Sequence, residues 1–130
     1  LAIKYREPYR PFAPLVLEKN VSKYFDVSKN FTSNYMEKVI KVKKEYKKKL
    51  EATTHVDGSA RVQTISEKGN RLLNDILNEF HKLTNISVLL NTSFNINGEP
   101  MVLTPDDAIS TFFNSGLEVL ILGKYIIIKK

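Results

Sequence analysis

Between Asn70 and Leu83 the apolar residues Leu72, Leu73, Ile76, Leu77, Phe80 and Leu83 recur at steps of three and four. That spacing gathers them on one face of an α-helix and turns the intervening Asn, Asp, Glu and Lys toward water. Two β-type runs bracket the helix, Arg61–Ile65 before it and Ile86–Leu90 after it, the second reading as a buried central strand. Strand, helix and strand in succession require a sheet with a helix laid on it, which excludes a helical bundle or an all-β sandwich.

The remaining segments extend the same plan. "LAIKYREPYRPFAPLVL" carries three prolines, each lacking a backbone donor, and reads as an edge strand running into an extended loop. Glu18–Phe25 supplies one or two helical turns, Tyr35–Lys43 a half-buried strand, and Thr53–His55 a short strand ahead of the Asp57-Gly58 turn. Met101–Leu103 reads as a short strand. Thr104-Pro105-Asp106-Asp107 starts a helix: Thr104 caps it, Pro105 fills the first turn, and the aspartates oppose the helix dipole. That helix is expected to stop at Ser115-Gly116, with Gly116 at positive φ. A hairpin about Gly123-Lys124 closes the chain. The fold class is therefore α/β (α+β), a twisted open mixed β-sheet with flanking helices, expected as one domain over residues 1–130.

Composition narrows the chemistry. There is no cysteine, so disulfides, thiolate zinc sites and thiol nucleophiles are excluded. No apolar run approaches the roughly 18 residues needed to cross a bilayer, and no basic start leads into an apolar h-region, so a cytoplasmic location is expected. The chain starts at Leu1 in strand-like sequence, as a piece of a longer protein does. His55 and His81 stand far apart with no His-x-x-x-His spacing, and no protein metal site is expected. The Walker loop, the Rossmann fingerprint and the serine-hydrolase elbow are missing.

What remains is a set of cations and small polar groups. Twenty basic residues against 14 acidic ones leave a charge of +6, which favours anionic partners. Six lysines crowd Lys41–Leu50, as a solvated helix end or as a rim that attracts phosphate. Lys4, Arg6 and Arg10 bracket the proline-rich opening, Arg61 and Gln63 share one phase of a strand, and Ser93 and Asn95 share another. Alternate strand positions face the same side, so each pair can present two groups to one ligand. Cations beside hydroxyl and amide donors suit phosphate oxygens, though the same residues can equally pair with surface carboxylates and backbone.

Four blocks, "KYREPYRPFAP", "THVDGSARVQT", "LLNTSFNINGEP" and "TPDDAISTFFNSGLEVLILG", together resemble the C-terminal domain of the NodU/CmcH carbamoyltransferases. These are O-carbamoylating enzymes of nodulation-factor and antibiotic pathways. The resemblance implies a YrdC/Sua-like fold whose concave face binds a nucleotide and a small anionic substrate, with Lys4-Tyr5-Arg6 and Ser93-Phe94-Asn95 matching that fold's Lys-x-Arg and Ser-x-Asn. It implies that carbamoyl phosphate and ATP with Mg2+ yield carbamoyl-adenylate, phosphate and pyrophosphate. A separate N-terminal transfer domain, metal-dependent and absent from this chain, then passes the carbamoyl group to a hydroxyl.

On that resemblance Arg61 and Ser93 are the catalytic candidates. Lys4, Arg6, Arg10, Lys43 and Asn95 are the substrate- and nucleotide-binding ones, with Phe94 turned into the core. The sequence departs from the family pattern at Leu15, Glu51, Ser59 and Asn97, the last standing where an Arg is common. The alternatives are a basic RNA- or nucleotide-binding module without catalysis and a regulatory nucleotide-binding domain. Few aromatics alternate with the basic residues, which argues against nucleic acid.

Overall fold

The structure, a computed structural model, describes residues 11–130, which fall in two compact units, one Pro11–Thr92 and the other containing Ser93–Lys130. The first runs β1 (Ala13–Leu17), α1 (Glu18–Tyr24), β2 (Lys38–Lys41), two single 3₁₀ turns at Lys44–Tyr46 and Glu51–Thr53, β3 (Ser59–Ile65), α2 (Arg71–Thr84) and β4 (Val88–Asn91). Its four strands lie in the order β2-β3-β1-β4. β1 runs parallel to β3 and antiparallel to β4, and β2 is antiparallel to β3. The sheet is mixed, as the alternating strand and helix signals predict.

Alternation along the strands sorts two cores to opposite faces. Val16, Ala60, Val62 and Val88 meet Val21, Tyr24 and Phe25 on the α1 side. Leu15, Leu17 and Ile65 meet Leu77 on the α2 side, with Leu73 and Leu89 packed around them. The Tyr24 hydroxyl accepts the Ser87 backbone N–H at 2.9 Å and lies 3.1 Å from Ser87 Oγ, joining the end of α1 to the residue before β4. The Tyr24 ring also meets Tyr46 edge-on, with centroids 4.8 Å apart.

Several expectations are corrected. The edge strand expected at the start of the proline-rich opening lies outside the described residues, and the end of that opening, expected as an extended loop, is β1, an inner strand between β3 and β4. Pro14 is tolerated there at the strand's start: the β3 ladder begins only at Leu15. β4, expected to be central, is one of the two outer strands among the described residues, and Leu90 is 45% exposed. The sequence 53–55 does not form a strand, since Glu51–Thr53 winds as a 3₁₀ turn with Thr53 and Thr54 hydroxyls both donating to the Leu50 carbonyl. In α2 only part of the periodic face is inward. Leu72 is 69% and Leu83 85% exposed, while Asn74 is buried and donates to the Ser66 and Asn70 carbonyls. Asn70 caps α2 by accepting the Leu73 N–H, and Asn85 ends it at φ 59°.

The second unit holds α3 (Pro105–Phe113), β5 (Val119–Leu122) and β6 (Tyr125–Ile128). Thr104 and Asp107 exchange side chain-to-backbone hydrogen bonds in a capping box, and Pro105 fills the first turn as its missing N–H allows. Ala108, Phe112 and Leu120 form the core, with Phe94, Val102 and Ile127 packed against them. The hairpin turns at Gly123, φ 59°. Met101–Leu103 is irregular, not a strand, and the helix ends at Asn114 with φ −87°, so Gly116 is not needed at positive φ.

Tyr24→Phe removes the acceptor of a buried N–H while keeping the ring. A loss of about 1–3 kcal/mol is expected in urea unfolding, and an unchanged midpoint would mean that water replaces the hydroxyl.

Candidate functional site

α2 covers only one end of its sheet face. Past Leu15, Leu17 and Ile65, the same face carries Gln63 and Arg61 on β3 and Asn91 on β4, whose register partner on β1 is the small residue Ala13. Gln63 is locked from both sides. Its Nε2 donates to the Asn34 carbonyl at 2.9 Å, and its Oε1 accepts from Asn91 Nδ2. Arg61, two residues along the same phase and opposite Val39 of β2, is exposed. Among the described residues it has no hydrogen bond or salt bridge, so its guanidinium offers a five-donor fork to an incoming anion.

The loop before β2 borders this surface and is held to β3 on both sides. Fully buried Ser33 donates its hydroxyl to the Val62 carbonyl at 2.8 Å and its N–H to Thr64 Oγ1 at 2.9 Å, while its carbonyl accepts the Thr64 N–H. Tyr35 N–H donates to the Glu37 carboxylate at 2.8 Å. The Glu37 carboxyl is held below its ordinary range by its own backbone N–H first and that of Tyr35 next. Within the loop Met36 has φ 58°, a left-handed conformation that costs a side-chain-bearing residue about 1–2 kcal/mol. Its sulfur lies 4.0 Å from Asn91 Nδ2, over the Gln63–Asn91 pair.

Other sequence candidates sit elsewhere. Lys4, Arg6 and Arg10 lie outside the described residues. Lys43 donates its ammonium to the Ser22 carbonyl at 2.6 Å, and it stands four residues, about 13 Å of extended chain, from the Val39 that faces Arg61. Ser93 and Asn95, in the other unit, do come together: Ser93 Oγ donates to Asn95 Oδ1 at 2.6 Å, and Asn95 Nδ2 donates to the Glu99 carbonyl at 2.8 Å. They meet across an irregular turn, not along a strand, since β4 ends at Asn91. Phe94 points into the α3 core as expected. His81 is half-buried, with a buried Nδ1 that has no hydrogen-bond partner among the described residues.

Asn34, Met36 and Asn91 were not legible as site residues. Asn91 is visible in the sequence as the last residue of a strand, in phase with Ser93 and Asn95, whereas nothing in "SNYMEK" announces a left-handed Met. At the Asp57-Gly58 turn, Asp57 Oδ1 accepts from the Ser59 hydroxyl at 2.6 Å, and Lys41 bonds the other oxygen at 3.2 Å. The Ser59 hydroxyl, the Ser59 N–H and then Lys41 hold this carboxyl well below the usual range.

Comparison with known proteins assigns the family. A family model described as "Carbamoyltransferase C-terminus" matches residues 1–129. The chain belongs to this family. Nodulation protein NolO of Bradyrhizobium diazoefficiens is 43% identical over 129 residues, 98% of this chain and 24% of the relative. Nodulation protein NolNO of Sinorhizobium fredii is 42% identical over 98% of this chain and 19% of its own length. A protein named 3'-hydroxymethylcephem-O-carbamoyltransferase, from Amycolatopsis lactamdurans, is 36% identical over 93% of this chain and 22% of its own length. The chain thus spans a quarter or less of these relatives. Among the described residues of this carbamoyltransferase C-terminus no helix is long and apolar enough to cross a membrane, and no group of three or more His, Asp or Glu side chains gathers to hold a metal ion.

Glu37, Asp57 and Asp107 all have carboxyls depressed by hydrogen bonds, Asp107 chiefly by the Thr104 hydroxyl. A carboxyl whose folded pKa lies below its unfolded value stabilises the fold above the unfolded value and ceases to as pH falls toward the folded one. The urea midpoint is therefore expected to hold from about pH 7 to 5 and to drop below about pH 4, with a shallower drop in Asp57→Asn. A midpoint that stays level down to pH 2 would remove these carboxylates from the account.

Proposed function

We propose that this chain is the nucleotide- and carbamoyl-phosphate-binding part of an O-carbamoyltransferase, and that it forms carbamoyl-adenylate. The observation that carries this reading is the 36% identity, over 93% of the chain, to a relative named as an O-carbamoyltransferase. The exposed Arg61 on a locked polar surface supports it chemically. Water cleaves carbamoyl phosphate to carbamate and phosphate. A carbamate oxygen then attacks the α-phosphorus of ATP, and pyrophosphate leaves.

In this reading no covalent nucleophile is needed, because negative charge develops on phosphoryl oxygens and fixed cations and donors stabilise it. Arg61 clamps phosphate or carbamoyl phosphate; for Lys4, Arg6 and Arg10 the resemblance implies the role of further phosphate cations, and for Ser93 and Asn95 that of polar donors to substrate. Lys43, whose ammonium donates to the Ser22 carbonyl, adds to the positive field without direct contact. Mg2+ enters as MgATP, carried by phosphate oxygens and water. Transfer of the carbamoyl group to an acceptor hydroxyl belongs to the part of the family's proteins outside this chain.

The test is carbamoyl-phosphate-dependent release of pyrophosphate from MgATP. Arg61→Ala is expected to lower the rate about 10²-fold, the scale of losing one charge-stabilising donor, and Ser93→Ala less. A wild-type chain that neither releases pyrophosphate nor binds MgATP by calorimetry would sink the reading. Salt-dependent RNA binding in its place would favour a basic RNA-binding module.

A further inference from the structure

The Ser33–Glu37 loop is more constrained than a connection into β2 requires. Ser33, Asn34 and Glu37 fix its course through hydrogen bonds to Val62, Gln63, Thr64 and Tyr35. Only two non-glycine residues among those described adopt positive φ. Asn85 does so at a helix C-terminus, where an Asn is favoured for local reasons. Met36 has no such local reason, and its cost is met by the anchors on either side of it. The result is geometric: Met36 Sδ lies 4.0 Å from Asn91 Nδ2, the amide that bonds Gln63, and the adjacent Tyr35 is 85% exposed.

An exposed tyrosine is ordinary by itself. This one stands on a loop fixed to β3 at Gln63, two residues from Arg61, whose side chain has no partner among the described residues. β2 places Val39 opposite Arg61 and Lys38 opposite Val62, and the loop crosses β3 at Gln63 and Thr64. Gln63 is two residues, about 7 Å, along β3 from Arg61. That separation is comparable to the ribose between a base and its α-phosphate. An aromatic ring and a thioether offer an apolar surface for a planar base, and of the two side chains only the tyrosine hydroxyl can donate to a phosphate, a contribution that Tyr35→Phe removes.

Resting on the ATP reading above, we infer that Tyr35 and Met36 form the nucleobase wall of the Arg61 site. Tyr35 stacks on the base, Met36 supports its edge, and Arg61 takes the phosphates. The left-handed Met36 is the device that turns both side chains toward the ligand face.

Calorimetric titration of the chain with MgATP and, separately, with magnesium tripolyphosphate tests this. The two ligands share phosphate chemistry and differ in the nucleoside. Wild type is expected to bind MgATP more tightly than tripolyphosphate. Tyr35→Ala should weaken MgATP about tenfold and leave tripolyphosphate within about twofold, whereas Tyr35→Phe, which keeps the ring, should restore MgATP binding. Met36→Gly relieves the backbone and removes the side chain, so it should weaken MgATP with no loss of thermal stability. Arg61→Ala should weaken both ligands. If Tyr35→Ala leaves MgATP unchanged, or weakens both ligands alike, the nucleobase wall is overturned while the Arg61 phosphate site stands. If wild type binds tripolyphosphate and MgATP equally, the wall is likewise overturned. If it binds neither, the ATP reading falls together with the inference.

Discussion

All five residues of β1 are buried, and a strand hidden on both faces needs cover above and below as well as neighbours on either edge. β3 and β4 supply the edges. α1 follows β1 directly and covers the Val16 face, so the Leu15 and Leu17 face is left for α2. Fully burying side chains of this size contributes about 1.5–3 kcal/mol each, far more than any exposed ion pair in the chain, and the order of elements follows from meeting that demand. α2 meets it only in part. The helix covers Ile65, Leu15 and Leu17, and the same sheet face continues past them as Gln63, Arg61 and Asn91. The candidate site is thus the part of a sheet face that the core did not require.

Leaving polar strand positions uncovered does not by itself make a binding surface, because long side chains on an open sheet are mobile. Here the amides of Gln63 and Asn91 are tied to each other and to the Asn34 carbonyl, and the loop carrying Asn34 is anchored by a fully buried serine. Each bond contributes only about 1 kcal/mol net. Their effect is to fix orientation before a ligand arrives, which lowers the entropy lost on binding. The strain at Met36 persists for the same reason, held by bonds on both flanks.

Sequence reasoning succeeded where one local rule decided the outcome. Thr104, Pro105 and Asp107 form the helix start that their chemistry dictates, and Asp57-Gly58 forms the turn. It failed where two rules competed. The prolines argued for an extended loop after an edge strand, but over Ala13–Leu17 Pro14 sits where the β3 ladder has not yet begun, and the burial of Leu15, Val16 and Leu17 makes an inner strand. In α2 the period of the apolar residues was read correctly. The inward direction was not, because Asn74 finds the carbonyls of Ser66 and Asn70 and takes an interior place from Leu72 and Ile76. Arg61 and Gln63 were legible as a pair from strand alternation alone. Asn34 and Met36 were not, since their placement depends on bonds to residues some 30 positions away.

Charge supplies the remaining step. With 20 basic residues and 14 acidic ones the chain is positive overall, and the ion pairs Lys19–Glu67, Lys41–Asp57 and Lys82–Glu79 lie among exposed side chains where solvent leaves each worth little. Among the described residues, therefore, ion pairing contributes little to holding the fold. Lys41 to Lys49 carries six lysines in nine positions, and a concentration of charge of that kind raises the local concentration of anions without choosing among them. Choice requires donors whose positions are set in advance. Arg61 rises from a strand beside a locked Gln63 and keeps its donors for a ligand, whereas Lys41 and Lys43 direct theirs to Asp57 and the Ser22 carbonyl. A diffuse field that gathers anions and a strand-borne guanidinium that receives them are separable functions, and this chain places them on different segments.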